Sequence, residues 1–189
     1  YATDGTLQGI RNNWCVRRKI DTKLTHTINK EEEIQLGEFK VVAFDVPHDS
    51  TDCVGYSIEH DGVRFTLVTD CGHITEDIAH SISNYLVIEA NHEPEKLAAG
   101  PYPRHLKERI SGPNGHLSNE ACALALVQNA SPLLRHVWLC HLSDENNHPE
   151  LAKKTIESIL RDSGIIAGKD FILDVLKRKT PSEFFELKQ

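Results

Sequence analysis

A histidine or a carboxylate stands at the end of four short apolar segments in this sequence. His48 follows the apolar run in FDVPHDSTDCVGY, Asp70 follows the run in LVTDCG, Glu89 ends the run in LVIEANH, and His141 follows HVWLC. Imidazole nitrogen and carboxylate oxygen suit zinc, manganese or iron, and a carboxylate can bridge two ions. One such residue is weak evidence, but the joint pattern predicts a shared metal site.

The elements that would position these residues are short strands. Ligands in open α/β sheets lie just beyond strand ends, where the rigid backbone aims short side chains into one crevice. Polar and apolar residues alternate in EIQLGEFKVVAFDV before the segment becomes fully apolar. A hairpin around His60-Asp61-Gly62 is predicted by VGYSIEHDGVRFTLVTD. The strands expected to deliver the four residues are 41–46, 63–69, 85–88 and 137–140, and a late strand is predicted at 171–179.

Helices are predicted between and after these strands. Short helices broken by Gly100-Pro101 and Pro103 are expected in 93–110. The segment 118–130 has a cap-like start at Ser118, and 149–164 has proline in its first turn and ends at a glycine. Strands followed by strand–helix alternation predict an α/β layered fold, with residues 1–189 forming a single domain.

Composition narrows the classes of protein. The 189 residues are 39% hydrophobic and 26% charged, and no apolar run approaches the length of a membrane span. The five cysteines include no C-x-x-C pair, so we expect a cytoplasmic protein without a disulfide framework or zinc knuckle. A net charge of −7 argues against broad, non-specific nucleic-acid binding, but metal ions and a local basic patch could still hold a phosphate backbone.

The order of five motifs resembles the metallo-β-lactamase-fold hydrolases. His48 in HDSTDCVGY, Asp70 in LVTDCG, Glu89 in LVIEANH, His116 in GHLSNEA and His141 in LCHLS follow one another as in the back half of that fold. The similarity is to the nuclease branches, tRNase Z and ribonuclease J, and most of all to the YycJ/WalJ-like exonucleases. GHLSNEA and VIEANH are specific markers of that last group. The resemblance implies an αββα sandwich.

The resemblance also implies roles for these residues. His48 would bind a first divalent ion, Asp70 would bridge two ions, and His141 would bind the second, the ions being zinc, or manganese or iron. His116 would contact the scissile phosphate or protonate the leaving oxygen, and Glu89 would orient His116. A carboxylate hydrogen-bonded to imidazole raises its basicity and fixes its tautomer.

One family motif is missing from these residues. The H-x-H-x-D-H segment, which supplies further ligands to both ions, does not occur, and no His-x-His pair exists. Three ligands are too few for two ions. The chain also contains no methionine and begins YATDGT. We therefore expect the sandwich to be partial here, with the motif lying in a segment before Tyr1.

Further residues have two interpretations each. His92 either supports the metal ligands or lines the cleft. Asp49 either stabilises its own turn or supports the metal ligands. The basic cluster that contains Arg104 and Lys107 is either a solvated helix face or a contact for nucleic-acid phosphates. Cys71 is expected to be a buried core residue rather than a thiolate ligand.

The function that the resemblance implies is a binuclear metal-dependent phosphodiesterase, specifically a 5′→3′ exonuclease on DNA, with RNA as the less favoured substrate. One alternative is another hydrolase on the same scaffold, such as a glyoxalase-II-like thioesterase or a lactonase. The other is a non-catalytic binding protein, should the chain be complete. No membrane partner is expected, and the oligomeric state is left open.

Overall fold

The computed structural model describes residues 1–188 and contains one seven-stranded mixed sheet whose strands lie in sequence order. An αββα sandwich has two sheets, and the described residues contain one. The strands are β1 Glu33–Leu36, β2 Phe39–Asp45, β3 Val54–His60, β4 Val63–Val68, β5 Tyr85–Glu89, β6 His136–Cys140 and β7 Ile172–Val175.

Strand direction brings five strand ends to one side of the sheet. The pairs β1–β2, β2–β3 and β3–β4 are antiparallel, whereas β4–β5, β5–β6 and β6–β7 are parallel. β2 therefore runs in the same direction as β4, β5, β6 and β7. The C-terminal ends of these five strands form one edge, called here the C-terminal edge.

Helices connect the parallel strands, as crossovers between parallel neighbours require. The helices are α1 Asp4–Asn12, α2 Glu76–Ser81, α3 Pro94–Ala99, α4 Arg104–Ile110, α5 Asn119–Asn129 and α6 Pro149–Asp162, with a 3₁₀ turn at Thr22–Leu24. Among residues 1–188, none of the helices has the length and apolarity needed to cross a bilayer. All five cysteines are free, and Cys71 is fully buried, as predicted.

The core lies on both faces of the central strands β5 and β6, which are buried at every position. Parallel central strands are covered on both faces, so they carry continuous apolar runs. On one face, α2, α5 and α6 pack through Ile78, Leu126 and Ile156 against residues that include Leu86 and Leu139.

The opposite face of β5 and β6 carries Tyr85 and Trp138. The segment after β7 returns across this face. There Phe185 packs edge-on against Trp138 with ring centroids 5.0 Å apart. The Lys188 amide donates to the Tyr85 hydroxyl oxygen at 2.9 Å. The central strands are thus closed off from solvent on both sides.

The predicted hairpin is confirmed. β3 and β4 meet at Asp61 and Gly62, and both residues have positive φ angles, 48° and 73°. This backbone matches the two-residue turn that suits the twist of a hairpin. The predicted helices at 118–130 and 149–164 are present, the first capped by Ser118. The last strand is shorter than predicted.

Two helices were not predicted from the sequence. α1 contains Gly5 and Gly9, which lower helix propensity. Its first turn is stabilised instead by Asp52, far along the chain, whose carboxylate accepts a hydrogen bond from the Gly5 amide at 3.0 Å. α2 has only six residues, too few to show a helical period. α1 therefore depends on a contact that no local pattern reveals, whereas α2 is capped locally by Thr75, whose side chain accepts from the Ile78 amide.

The loops at the C-terminal edge interlock through their backbones. The Gly72 amide, after β4, donates to the Pro47 carbonyl, after β2, at 2.8 Å. Nδ1 of His48 donates to the Gly115 carbonyl at 2.9 Å. A Cβ at Gly72 would lie 2.1 Å from the carbonyl oxygen of Pro113. The glycine is required because three loops meet there without room for a side chain.

We expect Gly72→Ala to destabilise the protein by about 1–3 kcal/mol, because the added methyl group must push backbone rather than a flexible side chain. Gly9→Ala is the matched control. Gly9 lies in a helix, and its added Cβ would meet nothing within 4 Å. That change should stabilise by about 0.5–1 kcal/mol. Urea unfolding followed by circular dichroism measures both, and equal effects of the two substitutions would contradict the packing argument.

Candidate metal centre

Four side chains meet at the C-terminal edge. Asp70, Glu89, His116 and His141 each present one ligand atom, and these atoms all lie within 4.8 Å of one another. Asp70 and His141 follow β4 and β6, Glu89 is the last residue of β5, and His116 lies between α4 and α5. The parallel strands thus bring together four of the five residues expected at the site.

Glu89 is the centre of this group and is fully buried. Its Oε1 atom accepts hydrogen bonds from Nδ1 of His116 at 2.8 Å and Nδ1 of His141 at 2.6 Å. Its Oε2 atom accepts from the backbone amides of Cys71 at 2.8 Å and Leu117 at 3.1 Å. The expected contact with His116 is present, but Glu89 contacts His141 as well, which the sequence did not reveal.

Hydrogen bonding sets the charge state of this carboxylate. Burial alone would raise the pKa of the Glu89 carboxyl, but the hydrogen bonds from His116 and His141 outweigh burial and hold the pKa below its ordinary value. The same hydrogen bond to Glu89 raises the pKa of His141 above its ordinary value, although burial acts the other way. Glu89 is therefore an ionised group that favours a proton on His141.

Asp70 and His141 form the open side of the group. Their side chains are 39% and 46% exposed, and Oδ1 of Asp70 lies 3.1 Å from Nδ1 of His141. Both residues have left-handed backbones, with φ angles of 36° and 52°. Such conformations cost energy in residues other than glycine and cluster at functional sites. At His141 the side chain of Asn91 supports the conformation, because its Nδ2 atom donates to the His141 carbonyl at 2.9 Å.

His48 lies beside the group rather than within it. Its ring is 4.8 Å from that of His116, centroid to centroid, and its side chain is 8% exposed. All three histidines use Nδ1 for an internal hydrogen bond: His48 to Gly115, His116 and His141 to Glu89. Each is left with Nε2. Metal-binding histidines are commonly held in this way, so the donor set fits zinc, manganese or iron.

Asp49 does not contact the four-residue group through a hydrogen bond. Its two carboxylate oxygens pair with the Arg109 guanidinium of α4, at 2.5 and 2.8 Å. This hydrogen-bonded pairing lowers the pKa of Asp49 below its ordinary value. The bidentate geometry ties the loop that carries His48 to α4, and a role for Asp49 in supporting the metal ligands stays a prediction.

His92 is buried, and its Nδ1 atom has no hydrogen-bond partner among residues 1–188. Burial lowers the pKa of His92 below its ordinary value. Its backbone carbonyl accepts from the Asn119 amide at 2.9 Å, so the residue joins the loop after β5 to the start of α5. It is not one of the four clustered residues.

Three buried asparagines hold the loops behind the site. Asn147 donates to the Ala90 carbonyl at 2.9 Å and to Oδ1 of Asn119 at 2.8 Å. Asn119 is fully buried and also donates to Oε2 of Glu93 at 2.9 Å. With Asn91 they link the loops that carry His116 and His141. Their signal in the sequence was an asparagine in or beside each motif, in VIEANH, GHLSNEA and DENNH.

The basic residues of α4 are engaged within the protein. The Nε atom of Arg104 contacts Oε1 of Glu108 at 2.6 Å, one turn away. The Nζ atom of Lys107 donates to the Ala98 carbonyl at 2.6 Å, at the end of α3. A contact from Arg104 or Lys107 to nucleic acid stays a prediction. To bind a phosphate, each side chain would have to share or give up its contact within the protein.

Comparison with curated proteins reveals close relatives. The chain is 34% identical over 174 residues to the exodeoxyribonuclease WalJ of Streptococcus pneumoniae serotype 2, a match that covers 90% of this chain and 64% of that protein. It is 32% identical over 149 residues to the exodeoxyribonuclease YycJ of Bacillus anthracis, covering 78% of this chain and 56% of that protein. The chain therefore spans less than two thirds of the length of these relatives.

Solved structures show the same fold. The metallo-β-lactamase fold protein YhfI of Bacillus subtilis superimposes with a TM-score of 0.60 at 12% identity, over 93% of this chain and 60% of that one. Zinc-bound PqqB of Methylobacterium extorquens superimposes with a TM-score of 0.58 at 19% identity, also over 93% of this chain and 60% of that one. The family model described as the beta-lactamase superfamily domain matches residues 1–141. The predicted fold is thereby confirmed, and the chain belongs to the beta-lactamase superfamily.

Proposed function

We propose that this protein is a metal-dependent phosphodiester hydrolase, a 5′→3′ exonuclease that acts on DNA with two divalent ions. The observation that carries the proposal is the hydrogen-bonded pair of Glu89 and His116 directly beside Asp70 and His141. A thioesterase or lactonase needs no such pair for its leaving group. The names of both relatives, exodeoxyribonucleases, support DNA as the substrate.

His48, Asp70 and His141 would hold the metal ions. Each histidine is anchored through Nδ1 and keeps Nε2 as a ligand atom, and Asp70 is the more exposed of the two clustered carboxylates. Divalent ions bound there would supply a water molecule of lowered pKa and offset the charge of the phosphodiester. Zinc, manganese and iron all suit these donors.

His116 would hold the proton that the leaving oxygen takes up. Its Nδ1 atom donates to Glu89, so Nε2 is the nitrogen left to carry that proton. The buried, ionised carboxylate fixes the tautomer and the orientation of this imidazole through that hydrogen bond. Five free cysteines fit a reducing compartment, so the proposal places the enzyme in the cytoplasm.

The proposal is tested on DNA strands that carry a fluorescent label at either the 5′ or the 3′ end. With manganese or zinc, the protein should release labelled mononucleotide first from the 5′-labelled strand, and a chelator should abolish the reaction until metal is restored. A thioester such as S-lactoylglutathione is the comparison substrate. Hydrolysis of the thioester without hydrolysis of DNA would overturn the proposal.

The variants His116→Ala and Asp70→Ala separate the role of proton donor from the role of metal ligand. Loss of a proton donor should lower turnover by about 10²–10⁴-fold while bound metal is largely kept. Loss of Asp70 should lower both turnover and metal content. Metal analysis of the purified proteins and kinetics on DNA measure the two quantities. His105→Ala, on the exposed side of α4, is the control and should change neither. Equal metal loss in both site variants would contradict the division of roles.

Glu89→Gln should affect both functions, because Glu89 contacts both His116 and His141. We expect metal affinity to fall on the order of 10–100-fold, as for other groups that orient a ligating histidine, together with a loss of turnover. Competition with a chromophoric chelator measures the affinity. Glu108→Gln removes an exposed carboxylate and serves as the control. Lower turnover with unchanged affinity would restrict Glu89 to His116 alone.

A further inference from the structure

A basic run, Lys177-Arg178-Lys179, leaves β7 at the C-terminal edge. β7 is parallel to β6, and the Leu176 amide donates to the Leu139 carbonyl at 2.9 Å. Neighbouring strands lie about 4.8 Å apart. The run therefore emerges beside the residues that follow β6, the first of which is His141. No other strand that ends at this edge is followed by three consecutive cations.

Arg178 is anchored to the loop that follows His141. Its guanidinium donates to the Leu142 carbonyl, and its Nη1 atom lies 2.8 Å from Oδ1 of Asp144. These two contacts fix the run against the site. They also leave further guanidinium N–H groups, because arginine has five donors.

Lys177 and Lys179 are exposed and form no ion pair with any residue in the range 1–188. The other basic side chains near the edge are engaged: Arg109 pairs with Asp49, and Lys107 caps α3. The net charge of −7 gives the protein a field that repels a polyanion. Because Lys177 and Lys179 are uncompensated cations beside the site, they would reverse this repulsion locally.

We propose that Lys177, Arg178 and Lys179 bind the phosphodiester backbone of a DNA strand whose end lies in the site. This inference rests on the proposed function, since it assigns the strand that the enzyme would cut. Lysine and arginine that neutralise phosphates release condensed counterions, which makes binding depend on salt. For a single strand the slope of log K against log salt concentration changes by about 0.7 for each phosphate contact.

The experiment uses the metal-loaded full chain and a 5′-phosphorylated, 20-nucleotide single strand with phosphorothioate linkages, which resist hydrolysis. Fluorescence anisotropy gives the affinity across a range of salt concentrations. The variant K177Q/R178Q/K179Q is compared with R17Q/R18Q/K19Q. The control run is equally long, equally charged and exposed, and follows α1 rather than a strand. K177Q/K179Q keeps the Arg178 anchor, and thermal unfolding checks that each variant folds.

We expect the slope to become less steep by about 2 in K177Q/R178Q/K179Q and by about 1.4 in K177Q/K179Q, with little change in the control. Equal changes in the two triple variants, or no change in K177Q/K179Q, would overturn the assignment. Because the probe is not cut, the result is independent of catalysis. Binding without hydrolysis of ordinary DNA would contradict the proposed function and leave this inference standing.

Discussion

The buried carboxylate of Glu89 is the interaction on which the arrangement of the site depends. Its four hydrogen bonds reach three separate loops: one after β4 through Cys71, one before α5 through His116 and Leu117, and one after β6 through His141. A buried charge without partners would cost several kcal/mol. The loops can therefore leave Glu89 only at a large energetic cost, and the two histidines stay close to each other.

Sheet direction explains why one residue can reach so many loops. Parallel strands β4, β5 and β6 end at the same edge, and β5 is the middle strand of the three. Glu89, at the end of β5, is thus adjacent to the loops on both sides. The core beneath, formed by α5 and α6 against β5 and β6, keeps the three strand ends in register. The geometry of the site follows from this packing.

Sequence reasoning found the strands and the polar residues at their ends, because apolar runs and their terminal residues are local patterns. It could not find the cap that Asp52 supplies to α1, since the two partners are 47 positions apart. The contact of Glu89 with His141 was missed for the same reason. The side chain of Asn147 is likewise buried in a hydrogen-bond network that only the folded chain assembles.

Charge decides which carboxylate of the group is free for a cation. Both oxygens of Glu89 are already engaged by four N–H donors, so its charge is balanced inside the protein. Asp70 is half-exposed and lies near the Nδ1 atoms of His116 and His141. A phosphodiester that approaches the exposed side of Asp70 would meet the negative charge of its carboxylate. Divalent ions bound to Asp70 would reverse that field, so the proposed hydrolysis of a phosphodiester would depend on metal.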